Sequence, residues 1–243
     1  MKFHILKNKE ELADKLAQWI GKLVNTTLKE QEYFTLVLSG GETPKILFSK
    51  LASDYKEKID WKRMQIFWAD ERVVPFKDER NNANAAFDIL IHKIGIPSPQ
   101  VHIMRTDIEP VFAAKEYDKK LHEYFNHTEK SFDLVLLGMG DDGHTLSLFP
   151  NSAILDDENK NWVNAVYNEQ QQMYRITLMP IIVNRASHIA FMVDGDKKAA
   201  TLKQVIEGEY NPMHFPAQII NPLKGELHWF LDEAAAKNLS NAS

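Results

Sequence analysis

Four short stretches of this chain bring titratable or anion-binding groups together with turn residues. The first is Gly138-Met139-Gly140-Asp141-Asp142-Gly143-His144, which follows the apolar run Leu134 to Leu137. A histidine in such a loop can exchange a proton near neutral pH, and a carboxylate two residues away, Asp142, is placed to orient the ring or tune its charge. The glycines allow sharp turns and let a ligand approach the backbone closely. The second stretch is Ser39-Gly40-Gly41-Glu42-Thr43-Pro44, with Pro44 suited to a first helical turn and Thr43 to its cap. A glycine turn feeding a helix amino terminus presents N–H groups and a positive dipole end to an anion. The third, Asp70-Glu71-Arg72-Val73-Val74-Pro75, packs charges behind the apolar run Met64 to Trp68. The fourth, Asp194-Gly195-Asp196-Lys197-Lys198, sets lysine at the start of a helix. Taken singly, each has an ordinary reading as a solvated loop, a plain turn or a salt-bridged surface.

The elements that must position these groups alternate in kind. Leu12, Leu16, Trp19, Ile20 and Leu23 recur at helical spacing within a helix from Glu10 to Leu28. Apolar strands are expected at Phe34 to Leu38, Met64 to Trp68, around Val101 to Met104, Leu134 to Leu137, Trp162 to Val166, Tyr174 to Leu178, His188 to Val193 and Leu227 to Leu231. Helices are expected from Lys45 to Leu51, Ala83 to Ile91, Pro110 to Phe125, after Met179-Pro180, through Ile206 and over Asp232 to Asn238, with a polar surface loop over Asn151 to Asn161. Asn81 and Asn82 stand where either can cap the helix from Ala83 or reach a ligand. His144 stands where a further helix is expected to start.

This alternation implies one α/β domain over residues 1–243, doubly wound, with a mostly parallel sheet and helices on both faces. A parallel sheet puts every carboxyl end on one edge, where open α/β sheets bind ligands. The four junctions can therefore converge on a single crevice, with Arg175 a candidate from a neighbouring strand.

Composition narrows the ligand class. At 243 residues and 44% hydrophobic content the chain can bury one sizeable core. It has no cysteine, which fits a reducing, cytoplasmic setting and excludes a disulfide framework or a thiolate-ligated metal. The amino terminus carries no long apolar segment, so neither a signal peptide nor a membrane span is expected. A net charge of −5 with dispersed Lys and Arg argues against nucleic acid, while leaving room for a small anion held by a local cluster of donors.

The motifs Ser39-Gly40-Gly41-x-Thr43-Pro44, Asp70-Glu71-Arg72-x-Val74-Pro75, Gly138-x-Gly140-x-Asp142-Gly143-His144-x-x-Ser147-Leu148-Phe149-Pro150 and Arg175-Ile176-Thr177-Leu178, in this order over almost the whole chain, resemble those of the 6-phosphogluconolactonases. Two positions depart from that pattern: Asn81-Asn82 stands where the family usually has Ser-Asn, and Gln172-Met173-Tyr174 where it usually has proline shortly before the arginine. The resemblance implies hydrolysis of 6-phospho-D-glucono-1,5-lactone, a small sugar-phosphate partner, with His144 and Asp142 at the chemistry. It implies Gly40, Gly41, Thr43, Asp70, Arg72, Asn82, Gly140, Arg175 and Lys197 as substrate-binding positions. Arg suits bidentate contact with phosphate and Lys acts as a point charge.

A δ-lactone is already a reactive ester, so one base of near-neutral pKa suffices, without metal, cofactor or covalent nucleophile. Backbone N–H groups of the Gly138–His144 loop are candidates to stabilise the oxyanion. The acid pairs Asp70-Glu71 and Asp141-Asp142 offer a minor alternative as magnesium ligands. Ser147 lacks a nucleophile elbow. A glucosamine-6-phosphate deaminase has a glutamate five residues after its histidine, where this chain has Phe149, and a non-catalytic sugar-phosphate sensor on the same fold is the third reading. These residues leave the oligomeric state open.

Overall fold

The computed structural model describes residues 1–125, 127–156 and 160–240. The expected loop over Asn151 to Asn161 falls partly outside the described residues; its described part contains a turn of 3-10 helix at Ala153–Leu155.

Among the described residues, nine strands form two sheets. Six of them, β1 (Lys2–Leu6), β2 (Phe34–Leu38), β3 (Met64–Trp68), β5 (Leu134–Gly138), β8 (His188–Val193) and β9 (Glu226–Asp232), make an all-parallel sheet in the order β1-β9-β8-β5-β2-β3. In β3, β5 and β8 almost every consecutive residue is buried. Successive side chains point to opposite sides of a strand, so unbroken burial means that both faces of the sheet are covered. The expected α/β architecture with a mostly parallel sheet is therefore present. Helices α1 (Lys9–Thr27) and α2 (Glu42–Asp54) pack on each other. The segment after Asn81 is α3 (Asn82–Ala86), a π-helical turn at Phe87–Ile91, and α4 (His92–Ile94), with Asn81 accepting from the Asn84 N–H as its cap. The remaining helices are α5 (Pro110–Phe125), α6 (Pro180–Val183), α7 (Ala199–Glu207) and α8 (Glu233–Ala236).

Lys2–Leu6, not among the strands expected above, is an edge strand; among the described residues it pairs with β9 alone and is half exposed, so its apolar signal is weak. Three expectations are corrected. Asp70–Arg72 is not a loop but strand β4, which joins β6 (Val163–Asn168) and β7 (Met173–Leu178) in an antiparallel sheet of order β4-β7-β6. No helix follows His144: residues 139–152 form a series of turns. Val101 to Met104 is not a strand either. It makes a single bridge, Val101 to Ile66, beside which His102 N–H donates to the Ile66 carbonyl at 2.8 Å. The segment shields the outer edge of β3, as exposed sheet edges require.

The Tyr117 hydroxyl on α5 clamps that shield: it accepts from Trp68 N–H at 3.1 Å and donates to the His102 carbonyl at 2.9 Å. Tyr117 is 2% exposed. Replacing it with Phe would leave both backbone groups without this partner, at a cost of about 1–3 kcal/mol. Urea unfolding of Tyr117→Phe should show that loss; an unchanged midpoint would mean the clamp contributes nothing. Among the described residues no helix is long and apolar enough to cross a membrane.

Candidate active site

The carboxyl ends of β2, β5 and β8 face the β4–β7 ribbon across a crevice of about 250 Å³. Gly40, Gly41, Thr43, Asp70, Arg72, Gly140, His144 and Arg175 all line it. A larger groove of about 520 Å³ lies elsewhere, between α1 and the end of α2, but Glu11, Asp14, Lys15 and Lys58 give it only mixed charge.

The histidine is held by local geometry. Gly143 takes φ +84, which glycine accommodates, and Gly140 N–H donates to the His144 carbonyl at 2.8 Å. This closes a turn so tight that a Cβ on Gly140 would lie 2.1 Å from His144 Nδ1 and 2.6 Å from Asp142 Oδ1. Asp142 Oδ1 accepts from His144 N–H at 3.0 Å and bonds Nδ1 at 2.6 Å. Burial pushes the Asp142 carboxyl up, but the hydrogen bond and charge of His144 outweigh it and hold the group below its ordinary value. An ionised carboxylate only accepts, so Nδ1 carries the hydrogen, and in the neutral ring Nε2 keeps its lone pair. Phe149 packs against the imidazole with ring centroids 4.7 Å apart. The arrangement orients the imidazole so that, in its neutral form, it can take a proton at Nε2.

The cations come from the second sheet. Arg72 and Arg175 are register partners across β4 and β7. Arg175 is 5% exposed; its Nη1 donates to Asp70 Oδ2 at 3.5 Å and its Nη2 donates to Gln171 Oε1. Burial pulls the Arg175 pKa down, Asp70 raises it, and the neighbouring Arg72 charge lowers it again. Arg72 Nη1 donates to the Arg80 carbonyl at 2.7 Å. Two guanidinium groups forced together in this way favour an anion between them. On the opposite wall, Gly41 takes φ +120 and starts α2 without a side-chain cap, leaving first-turn N–H groups available to a ligand.

Several sequence expectations change here. Thr43 does not cap α2; its hydroxyl donates to Asp194 Oδ1 and ties the β2 turn to the β8 turn. Lys197 is exposed and outside the crevice lining, whereas Lys198 lines it. Adjacent lysines at a helix start are indistinguishable by pattern, and only the 3-10 turn at Asp196–Lys198 separates them. Asn82 stands behind the wall, donating to the Asp70 carbonyl at 3.0 Å and filling the space that a Cβ on Gly40 would need. The N–H groups of Gly140, Gly143 and His144 are spent inside the turn, so these three do not supply oxyanion donors. The acid pairs are occupied as well: Asp70 Oδ2 accepts from Ser147 Oγ at 2.7 Å, and Asp142 holds the imidazole.

Glu71, which the sequence offers only as a minor magnesium-ligand alternative, accepts from the backbone N–H groups of Arg72, Asn82 and Ala83 at 2.8, 2.7 and 2.7 Å. It locks β4 to the start of α3. Burial pushes its carboxyl up to about 7 against those three donors. The hint in the sequence was an acid twelve residues before a helix start, too generic to read.

The fold and the site together define an α/β protein with a ligand crevice at the carboxyl edge of a parallel sheet, carrying one oriented imidazole and a guanidinium pair. The glucosamine-6-phosphate isomerase/6-phosphogluconolactonase family model matches residues 7–229, and the chain belongs to that family. It is 38% identical over 203 residues to a 6-phosphogluconolactonase of Haemophilus influenzae, covering 83% of this chain and 86% of the relative. It is 36% identical over 221 residues to a 6-phosphogluconolactonase of a Nostoc species, covering 89% of each. The solved structure of 6-phosphogluconolactonase from Trypanosoma cruzi superposes with a TM-score of 0.84 at 26% identity, covering 98% of this chain and 97% of that one.

Gly140→Ala should break the Asp142–His144 bond, because the new methyl group occupies the imidazole's place. Nitrogen NMR of the histidine should show loss of the Nδ1-protonated tautomer; its retention would contradict the turn geometry. The Asp142 carboxyl also sets an acid limit. Stability from a carboxylate with a depressed pKa is full above the ordinary value of 3.8 and is lost as pH falls through the lower folded value. Unfolding free energies of wild type and Asp142→Asn should therefore converge below pH 3.8. A gap that does not narrow as pH falls below 3.8 would assign the stabilisation to something other than this charge.

Proposed function

We propose that this chain, acting as one catalytic unit in the cytoplasm, hydrolyses 6-phospho-D-glucono-1,5-lactone to 6-phospho-D-gluconate, the second step of the oxidative pentose phosphate pathway. The observation that carries this reading is the chemistry of the crevice: an imidazole with a free Nε2, and the paired guanidinium groups of half-buried Arg72 and buried Arg175, which favour an anion. The substrate has the same two ends, a lactone carbonyl and a phosphate. The relatives named above support the choice of lactone.

In this mechanism His144 Nε2 takes a proton from water as the water oxygen attacks C1. The tetrahedral centre collapses by breaking the bond from C1 to the ring oxygen, and His144 returns the proton to that oxygen. The freed carboxylic acid then ionises. Asp142 positions the ring and stabilises its transient charge, much as the carboxylate of a hydrolase triad does. Gly40, Gly41, Thr43, Gly140 and Asp70 shape the wall, and Arg72, Arg175 and Lys198 hold the phosphate. Asn82 acts behind Gly40 and Asp70 as a positioning residue. Phe149 stands where the related deaminases carry an acid, which favours lactone hydrolysis over ring opening and deamination.

The test is an assay with freshly made lactone, corrected for spontaneous hydrolysis. Wild type should turn over the lactone and release no ammonia from glucosamine 6-phosphate. His144→Ala should stay folded and bind 6-phosphogluconate, yet lose roughly 10²-fold or more in kcat. Arg72→Ala, Arg175→Ala and Lys198→Ala should each lose about 10–100-fold in kcat/KM for the phosphorylated lactone, but not for plain gluconolactone. Near-normal turnover by His144→Ala would remove it as the base. Equal weakening on both lactones would remove a cation from the phosphate site.

A further inference from the structure

Gln171 belongs to no motif singled out in the sequence, yet it lines the crevice beside Arg175. Its backbone is pinned: its N–H donates to Asn168 Oδ1 at 2.7 Å, and Asn168 is only 5% exposed. The next residue, Gln172, takes the left-handed conformation at φ +48, which turns the chain sharply from β6 into β7. This fixed turn aims the Gln171 side chain back along its own strand to Arg175, four residues on, where Oε1 accepts from Nη2. Arginine has donors only, so the amide oxygen must be the atom facing it. That orients the rest of the group. The Gln171 NH₂ is turned away from the guanidinium, and no hydrogen bond from it to another described residue accompanies the one at Oε1.

We propose that Gln171 is a specificity-determining residue: its amide oxygen fixes the Arg175 guanidinium while its amide nitrogen donates to the substrate phosphate. This rests on the lactonase reading above. The amide provides what a carboxylate or a second arginine at this position would not, an acceptor for Arg175 and a donor for the phosphate on one rigid plane. A glutamate would keep the acceptor, lose the donor and add a charge that repels phosphate. An alanine would lose both functions.

That asymmetry separates contact from mere positioning. KM and kcat are measured for the phosphorylated lactone and for plain gluconolactone in wild type, Gln171→Glu and Gln171→Ala, with thermal unfolding as a folding control. The residue is exposed in a turn, so both variants should unfold within a few degrees of wild type. For the phosphorylated lactone, KM should rise roughly 10-fold or more in Gln171→Glu, the scale of a lost hydrogen bond to a charged group, and less in Gln171→Ala. Plain gluconolactone should be affected less than about two-fold in both. The proposal is overturned if Gln171→Glu matches wild type on the phosphorylated substrate, because an acceptor alone would then suffice, or if both lactones weaken together. If wild type itself does not turn over the lactone, the functional reading fails first. Calorimetric titration with inorganic phosphate then still decides on Gln171: weaker binding in both Gln171→Ala and Gln171→Glu supports the contact, and wild-type binding in Gln171→Ala removes it.

Discussion

The structure turns on one residue that is hydrogen-bonded into both sheets. Ala69 N–H donates to the Leu38 carbonyl at 2.8 Å, extending the β2–β3 ladder of the parallel sheet, and the Ala69 carbonyl accepts from Leu178 N–H at 2.9 Å, at the start of the antiparallel ribbon. The chain thus leaves one sheet and enters the other with no intervening loop. This delivers Asp70 into the seam, 8% exposed, with Ser147 Oγ, the Arg175 guanidinium and the Asn82 amide around its carboxylate. A buried carboxylate needs such donors, because desolvation otherwise makes its charge costly. Asp70 in turn fixes three things the site requires: the far end of the histidine loop, the direction of Arg175 and the wall behind Gly40.

The histidine loop gains rigidity from the same economy. Thr145 Oγ1 donates to the Gly138 carbonyl, Ser147 N–H to Thr177 Oγ1, Thr201 Oγ1 to the Asp141 carbonyl and Ala217 N–H to the Gly143 carbonyl. Leu146 is held at φ +57, a left-handed conformation that costs a side-chain-bearing residue of order 1 kcal/mol and persists only where its surroundings impose it. In the proposed mechanism, an imidazole fixed this way needs little reorganisation at the moment of reaction, which is where much of the advantage of a preorganised site lies.

Much of this was legible in the sequence because the signals are local. Unbroken apolar runs such as Leu134 to Leu137 mark strands buried on both faces, and glycine turns after them mark the ligand edge. What sequence did not disclose depends on tertiary pairing. Asp70–Arg72 reads as a charged loop because its strand has only three residues and its partner β7 lies more than a hundred residues away. The Val101 to Met104 segment has strand composition but meets only one bridge partner. Lys198 could not be told from Lys197, since a one-residue shift on a 3-10 turn leaves no trace in pattern. Gln171 carries no motif, and the role proposed for it depends on a turn set by Gln172 and Asn168.

The central claim is that the crevice has a direction, with carbonyl chemistry at His144 and phosphate among the cations. A crystal structure of the chain with 6-phosphogluconate tests it most directly. The product carboxylate should lie within hydrogen-bond reach of His144 Nε2, with Nδ1 still on Asp142, and the phosphate should be contacted by Arg72 or Arg175. A product bound in the opposite sense, with its phosphate against His144 and its carboxylate at the arginines, would contradict the account.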